Sequence, residues 1–319
     1  ERRPYTFLRQ RQPGIGKSAL LMQLGAHVAK TSNILYVSGE ESYEQVNERA
    51  KRLVGAHKVK IVNSNSTDDI AQTVLQGGYD VLIVDSVQTI ASSAVSSAPG
   101  SISQITNSTH VLSQVAKQTN TTLLLVGHVT KEGSIAGPKL LEHLVDVVLN
   151  LEGDRYGGFK TLRAIKNRYG STSEVAIFEM NDKGLQIVAN PSQMLLAERQ
   201  IADGSIVLAA MEGSRPLLVE VQALVNRTSF GYPKRAASGF DINRLNLLCA
   251  VLSRRTKLDL SEHDVYINIV GGIKISEPAA DLAICMAVAS ATKGLKLKED
   301  AGVFGEGGLY GEVRHVPQI

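Results

Sequence analysis

Gln12-Pro13-Gly14-Ile15-Gly16-Lys17-Ser18 runs without a break into Ala19-Leu20-Leu21-Met22-Gln23-Leu24. The spacing predicts a phosphate-binding loop that feeds an apolar helix. Gly14 and Gly16 let the backbone turn its N–H groups inward around phosphate oxygens, with no Cβ in the way. Lys17 then reaches the β- and γ-phosphates, and the Ser18 hydroxyl completes a Mg²⁺ shell. The positive end of the helix dipole points at the same anions. The competing reading is a Gly-rich turn capping a helix, with Lys17 a solvated charge. Gly-Lys-Ser set against an apolar helix favours the phosphate loop, and Pro13, Gly14, Ile15, Gly16, Lys17, Ser18 and Ala19 form the expected nucleotide cradle, for ATP or ADP with Mg²⁺.

One position departs from the pattern. The loop wants a glycine where Arg11 stands, and the residues before it make a poor buried strand: Tyr5, Phe7 and Leu8 lie among Arg2, Arg3, Arg9 and Gln10. That segment is expected to be remodelled or unusual.

Working outward, Asn33-Ile34-Leu35-Tyr36-Val37 reads as a short buried strand that ends in Ser38-Gly39-Glu40-Glu41-Ser42. Ligands of an open α/β sheet lie outside the carboxyl ends of its strands, so Glu40 is placed to polarise an attacking water. Alternatively, both glutamates only open the helix expected over Ser42 to Leu53. Val81-Leu82-Ile83-Val84-Asp85-Ser86 is a second buried strand closed by an acid, and Asp85 is expected to hold Mg²⁺ together with Ser18. Ser92 to Ser103 is rich in small polar residues and is expected to be mobile, followed by a helix from about Gln104 to Thr119. A strand from Thr121 to Gly127 then delivers His128 to the nucleotide end, as a γ-phosphate sensor or as a structural residue. Thr130 to Lys139, with Gly133, Gly137 and two lysines, suits contact with an anionic polymer.

Farther on, alternation through Arg163-Ala164-Ile165-Lys166-Asn167-Arg168 puts Lys166 and Arg168 on one face. Two cations side by side favour an anion between them. A solvated edge strand with protective charge is the alternative. Asn190-Pro191-Ser192 marks a boundary, dividing the chain into expected domains 1–190 and 191–319. The second is expected to carry strands at Ser205 to Met211, Leu217 to Leu224 and Tyr266 to Val270. Its helices are expected at Leu245 to Arg254 and Ala279 to Thr292.

Bulk numbers agree with two ordinary globular domains. The chain has 319 residues, 43% hydrophobic and 20% charged, enough to bury two cores. Its apolar runs are strand-length, so no membrane span is expected. Glu1 to Pro4 is charged with no apolar segment after it, so no signal peptide is expected either. Two cysteines, Cys249 and Cys285, argue against a disulfide framework or a zinc site and fit a reducing cytoplasm. A net charge of +3 permits nucleic-acid binding without arguing for it.

Four of these segments carry a family resemblance: Pro13-Gly-Ile-Gly-Lys-Ser18, Tyr36-Val-Ser-Gly-Glu-Glu-Ser42, Val126-Gly-His-Val-Thr-Lys-Glu-Gly133 and Lys166-Asn-Arg-Tyr-Gly170. From about Gln12 onward the sequence resembles the bacterial RadA (Sms) family, RecA-related ATPases of recombinational repair. The resemblance implies an α/β RecA-like P-loop ATPase core followed by an α+β Lon protease-like domain. It implies a water-activating Glu40, a γ-phosphate-sensing His128, and Lys166 and Arg168 acting on a neighbouring subunit's nucleotide. It further implies a hexameric ring helicase that hydrolyses ATP, binds single-stranded DNA and branched recombination intermediates, drives branch migration and works beside a RecA-type recombinase. Ser92 to Ser103 and Thr130 to Lys139 resemble the family's pore-facing DNA loops, which makes Thr130, Lys131 and Lys139 candidate DNA contacts. Lys234, Arg235 and Arg244 are further candidates in the second domain, with surface solubility as the alternative.

The sequence also departs from the family pattern. It lacks the family's four-cysteine zinc ribbon, Arg11 replaces a loop glycine, and Val316-Pro317-Gln318-Ile319 falls before the end of a full Lon-like fold. In Glu277-Pro278-Ala279-Ala280-Asp281, Ala279 stands where Lon carries its serine, so no peptide cleavage is expected. A degenerate P-loop module that binds DNA or a partner helicase without turnover is the competing functional reading.

Overall fold

The computed structural model describes residues 5–10, 14–53, 55–128, 141–153, 159–182, 184–229 and 231–316. The chain forms two compact units, Glu1–Tyr156 with Lys160–Ile187, and Gly157–Phe159 with Val188–Ile319. Among the described residues no helix is long and apolar enough to cross a membrane.

The first unit is built on β1 (Tyr5–Gln10), β2 (Ile34–Ser38), β3 (Lys60–Asn63), β4 (Val81–Asp85), β5 (Thr122–His128), β6 (Val147–Gly153), β7 (Lys160–Asn167), β8 (Val175–Asn181) and β9 (Gly184–Ile187). They form one sheet of order β3-β2-β4-β5-β1-β6-β7-β8-β9, parallel from β3 to β6 and antiparallel from β6 to β9. Its helices include α1 (Lys17–Val28), α2 (Tyr43–Lys51), α3 (Thr67–Gly77) and α4 (Ile102–Gln118). A parallel strand covered on both faces reads as an unbroken apolar run, and β2 shows why. Leu35 and Val37 join a core with Ile70, Val74 and Leu112 of α3 and α4. Ile34 and Tyr36 point the other way, to Leu21, Met22 and Val46 of α1 and α2.

The amino-terminal segment corrects the sequence reading. Tyr5–Gln10 is no remodelled edge but the strand between β5 and β6, with Phe7 fully buried and Leu8 nearly so. The charge that argued against it is accommodated, because Arg9 pairs with Glu142 and with the side-chain oxygen of Asn150 at 3.2 Å.

The second unit is α+β. Its five-stranded sheet has the order β12-β13-β11-β10-β14, with β10 (Ser205–Glu212), β11 (Arg215–Arg227), β12 (Arg235–Ser238), β13 (His263–Ile269) and β14 (Gly302–Val303). Two further short strands, Glu306–Gly307 and Val313–Arg314, pair with each other. The helices are α5 (Pro191–Leu196), α6 (Ile242–Arg255) and α7 (Asp281–Lys293). Buried Leu245, Leu248 and Leu252 of α6 and Ile284, Ala287 and Val288 of α7 form the apolar faces of the two helices.

Candidate functional site

The chain leaves β1 at the carboxyl end of the parallel strands and enters α1 through the loop. Arg11, Gln12 and Pro13 lie outside the described residues. Gly14 (φ 81°) and Gly16 (φ 103°) adopt the left-handed conformation that favours glycine. Gly16 has a second reason to lack a side chain: a Cβ there would lie 2.3 Å from Met180 Cε and 3.3 Å from Leu185 Cδ1. The β8–β9 hairpin thus packs against the loop, and Gln23 of α1 ties it down with 3.0 Å bonds to both N–H and C=O of Leu185. Ile15 is buried beside this turn. Among the described residues no side chain caps α1 and no acid stands in its first turn, around Ala19, which suits its amides to an anion.

Asp85, at the end of β4, gathers the polar side chains. Lys17 Nζ lies 2.9 Å from its Oδ1, while Ser18 Oγ (3.0 Å) and the Tyr36 hydroxyl (2.9 Å) donate to Oδ2. Lys17 and Asp85 are both buried. Burial, and then the charge of Asp85, pushes the Tyr36 phenol well above its ordinary pKa, so it stays protonated and donates. Hard oxygen donors from Ser18 and Asp85 that converge beside the Lys17 ammonium fit a Mg²⁺ ion that keeps most of its water. Tyr36 is a site residue that sequence reading passed over. The signal was in the register: Tyr36 pairs with Ile83, which makes Asp85 its diagonal neighbour on the same face.

The two adjacent glutamates are separated by their partners. Glu41 is held by Arg49 through two 2.7 Å bonds, and Ser42 caps α2 in a reciprocal box with Gln45. Glu40 instead turns to β4, where its Oε1 accepts from Ser86 Oγ at 2.5 Å. The Gly39 N–H donates to the Asp85 carbonyl (2.8 Å), fixing the root of that loop. Opening α2 therefore falls to Ser42 and Gln45, with Glu41 held from within the helix, and Glu40 is left at the strand ends beside Asp85.

His128 ends β5 opposite Gln10 of β1, so its backbone lies at the nucleotide end, while its side chain lies outside the described residues. Thr130, Lys131 and Lys139 lie outside them too. The Ser92–Ser103 segment corrects the expectation of a loose loop. Buried Gln104 donates its amide to the carbonyls of Ser92, Val95 and Ser97, and Asp68 accepts from Ser92 and Ser93. Ser97, Ser101 and Ser103 share hydroxyl bonds, and Ser101 caps α4, which starts at Ile102, earlier than expected.

Lys166 and Arg168, expected to favour an anion between them or to be a solvated pair, have partners inside the chain. Arg168, just past β7, bonds Asp146 at 3.2 Å, and Lys166 Nζ donates to the carbonyls of Glu142 (2.6 Å) and Val145 (2.7 Å). Burial first, then the like charge of Arg168, lowers the Lys166 pKa, with Asp146 and Glu142 opposing. Strand alternation missed Asp146 because it precedes β6 and reaches Arg168 only through sheet pairing. The Arg168 N–H bonds the Asp146 carbonyl, and the Asp146 N–H bonds that of Tyr5. Arg168 therefore stands at the amino ends of β1 and β6, roughly 16 Å along the strands from the end that leads into the phosphate loop.

In the second unit, Arg235 donates to the carbonyls of His263 and Leu260, and Arg244 forks onto the fully buried Asp281, with Nε to Oδ1 at 3.0 Å. Both are committed to the fold of this unit, whereas Lys234 contributes its backbone N–H to Asp264 at 2.7 Å. Ala279 is buried in a short 3₁₀ turn, Pro278–Ala280. A cleft of about 660 Å³ opens alongside, lined by Phe240, Arg244, Lys274, Glu277 and Asp281 among others.

Comparison with known proteins agrees with this geometry. The protein family described as AAA domain matches residues 12–134. The DNA repair protein RadA of Bacillus subtilis is 47% identical over 310 residues, 96% of this chain and 68% of that relative. Its counterpart in Pseudomonas aeruginosa is 48% identical over 307 residues, again 96% and 68%. Among solved structures, a DnaB-like replicative helicase superposes with TM-score 0.50 at 13% identity, over 58% of this chain and 59% of that one. A separately solved ATPase domain gives 0.51 at 14% identity, over 59% and 85%. These distant likenesses establish a RecA-like fold. The identity to the repair proteins, over nearly the whole chain, goes further: the chain belongs to the bacterial RadA family of DNA repair proteins.

Proposed function

We propose that the chain is a DNA-dependent ATPase of recombinational repair. It binds single-stranded DNA and branched intermediates, and acts in the bacterial cytoplasm beside a RecA-type recombinase as a hexameric ring helicase that drives branch migration. The observation that carries the reading is the convergence of Lys17, Ser18 and Asp85 at one end of the sheet, with Glu40 turned toward the same strand end. In this reading Gly14, Gly16 and the first turn of α1 hold the phosphates of ATP, and Lys17 leaves Asp85 to neutralise charge that develops on the γ-phosphate. Ser18 and Asp85 would hold a Mg²⁺ ion, whose charge would offset that of the phosphates. Glu40 takes a proton from the attacking water, and His128 senses the γ-phosphate. Lys166 and Arg168 act across a subunit interface on the next subunit's nucleotide. The remoteness of Arg168 from its own loop supports that role. Thr130, Lys131, Lys139 and Lys234 meet DNA, and the second unit, Lon protease-like and without peptidase activity, closes the ring.

The test is ATP turnover with and without single-stranded DNA. DNA-stimulated turnover that Lys17→Ala abolishes is expected. DNA binding without turnover in the wild-type chain would replace the reading with a P-loop interaction module.

A further inference from the structure

Strands β2 and β4 exchange hydroxyl groups for carboxylates. Tyr36, on β2, donates to Asp85 at the end of β4, at 2.9 Å. Ser86, the residue after β4, donates to Glu40 beyond the end of β2, at 2.5 Å. Each strand thus supplies one acid of the site and the hydroxyl that holds the other strand's acid. Both hydroxyl residues are buried, Tyr36 at 1% exposure and Ser86 at 0%. Neither belongs to the phosphate loop.

The surrounding backbone reinforces the exchange. The Gly39 N–H bonds the Asp85 carbonyl at 2.8 Å, and Thr89 Oγ1 bonds the Ser86 carbonyl at 2.8 Å. A Cβ on Gly39 would lie 2.1 Å from Thr89 Oγ1, so the loop that carries Glu40 seats directly on the turn after β4. On the Asp85 side, Lys17 and Ser18 are the groups whose other roles are on phosphate and metal. Tyr36 approaches from the sheet and has no such second role. When Lys17 and Ser18 turn to phosphate and metal, Tyr36 is the donor that stays on Oδ2 and keeps the carboxylate in one orientation.

We propose that Tyr36 and Ser86 are positioning residues, a reciprocal pair that fixes the metal-holding acid and the water-activating acid relative to each other. The inference rests on the ATPase reading above. A carboxylate that loses a donor turns between orientations, and a hydrogen bond to a charged group is worth about tenfold or more in an equilibrium or a rate. The two bonds serve different acids, so their loss has different signatures.

Two variants of the full chain test this, Tyr36→Phe and Ser86→Ala, each checked for an unchanged melting profile. For Tyr36→Phe, binding of a fluorescent ATP analogue is titrated with Mg²⁺, which needs no turnover. The Mg²⁺ concentration for half-maximal tight binding should rise about tenfold, while metal-free binding of the analogue stays within twofold. For Ser86→Ala, kcat should fall tenfold or more with KM within twofold, and the Mg²⁺ titration should match the wild type. A Tyr36→Phe chain with unaltered Mg²⁺ demand would overturn the inference, as would a Ser86→Ala chain that loses KM instead of kcat. If the wild-type chain binds the analogue with Mg²⁺ but turns nothing over, the ATPase reading fails, and the Mg²⁺ titration still decides the Tyr36 arm.

Discussion

Lys17 Nζ lies 2.9 Å from Asp85 Oδ1, with both side chains out of solvent. The cation proposed to bind phosphate and the acid proposed to hold the metal are therefore one buried ion pair, so Lys17 serves stability as well as the proposed chemistry. Lys17→Ala should lower kcat/KM for ATP at least a hundredfold, because a cation aimed at developing phosphate charge is lost. It should also destabilise the first unit. Breaking a buried pair costs about 3–5 kcal/mol when the partner is left alone, and here Tyr36 and Ser18 still donate to Asp85. A loss of about 1–3 kcal/mol in urea unfolding is expected, and Asp85→Asn in the same background should recover part of it.

Glu40 and Glu41 are neighbours with opposite expected phenotypes. Glu40→Gln should reduce kcat about a hundredfold or more while nucleotide affinity holds, since the proposed general base is removed and its hydrogen bond to Ser86 can persist. Glu41→Gln breaks a partly exposed pair with Arg49. It should cost no more than about 1 kcal/mol of stability and leave turnover within severalfold. Steady-state kinetics on the two variants side by side checks the assignment, and equal losses in both would undo it.

Gln104 holds the Ser92–Ser103 segment with one side chain, donating to three carbonyls and accepting from the Ser92 N–H at 2.9 Å. Gln104→Ala leaves those groups without their partner and should release the segment without unfolding the sheet. Hydrogen exchange should quicken across residues 92–103 and stay slow in β2 and β4. If the segment touches DNA, the stimulation of turnover by DNA falls in the same variant. Unchanged exchange would mean that Asp68 and the serine cluster suffice.

Arg244 lies over Asp281, which is fully buried and also accepts from the Gly307 N–H at 3.0 Å. Arg244→Ala should destabilise the second unit by about 3–5 kcal/mol through the stranded charge. The double variant with Asp281→Ala should regain much of this. Differential scanning calorimetry reads both. A loss of DNA binding in Arg244→Ala alone is therefore a folding effect unless the double variant shows it as well.

The parts of the sheet that could be read from the sequence are those buried on both faces. Val81–Val84 and Ile34–Val37 are continuous apolar runs because α1 and α2 cover one side and α3 and α4 the other. β1 escaped because it carries Arg9 next to its carboxyl end, whose partners Glu142 and Asn150 come from sequence far away. The strand-end placement of Glu40 and Asp85 was legible from the sequence, since each acid directly follows or closes an unbroken apolar run. Their partners were not, because Tyr36 finds Asp85 and Arg168 finds Asp146 only once strand register is set. Composition failed at Ser92–Ser103 for the same reason: a run of small polar residues looks loose until the one glutamine that gathers its carbonyls is seen.

Arg168 pairs with Asp146 while its own side chain remains more than half exposed, at 56%. A partly exposed pair of this kind is worth little, so the guanidinium can leave Asp146 for a stronger anion at small cost. The loop between β1 and α1 lies at the other end of the strands, so in the ring proposed above that anion is a neighbouring copy's nucleotide. Arg168→Ala should therefore bind ATP normally and fail to hydrolyse it, with an arginine finger in such a role worth about a thousandfold in rate. Lys17→Ala has the opposite defect, an intact finger and a failed phosphate grip. Subunits of the two dead variants, mixed under exchange conditions, should form some interfaces with both parts intact and regain partial DNA-stimulated turnover. Mixtures as inactive as either parent, with assembly confirmed by light scattering, would place Arg168 in the service of its own fold. In that case Arg168→Ala should lower the melting temperature together with Asp146→Ala and in a non-additive way, since the two side chains would then act as one structural pair.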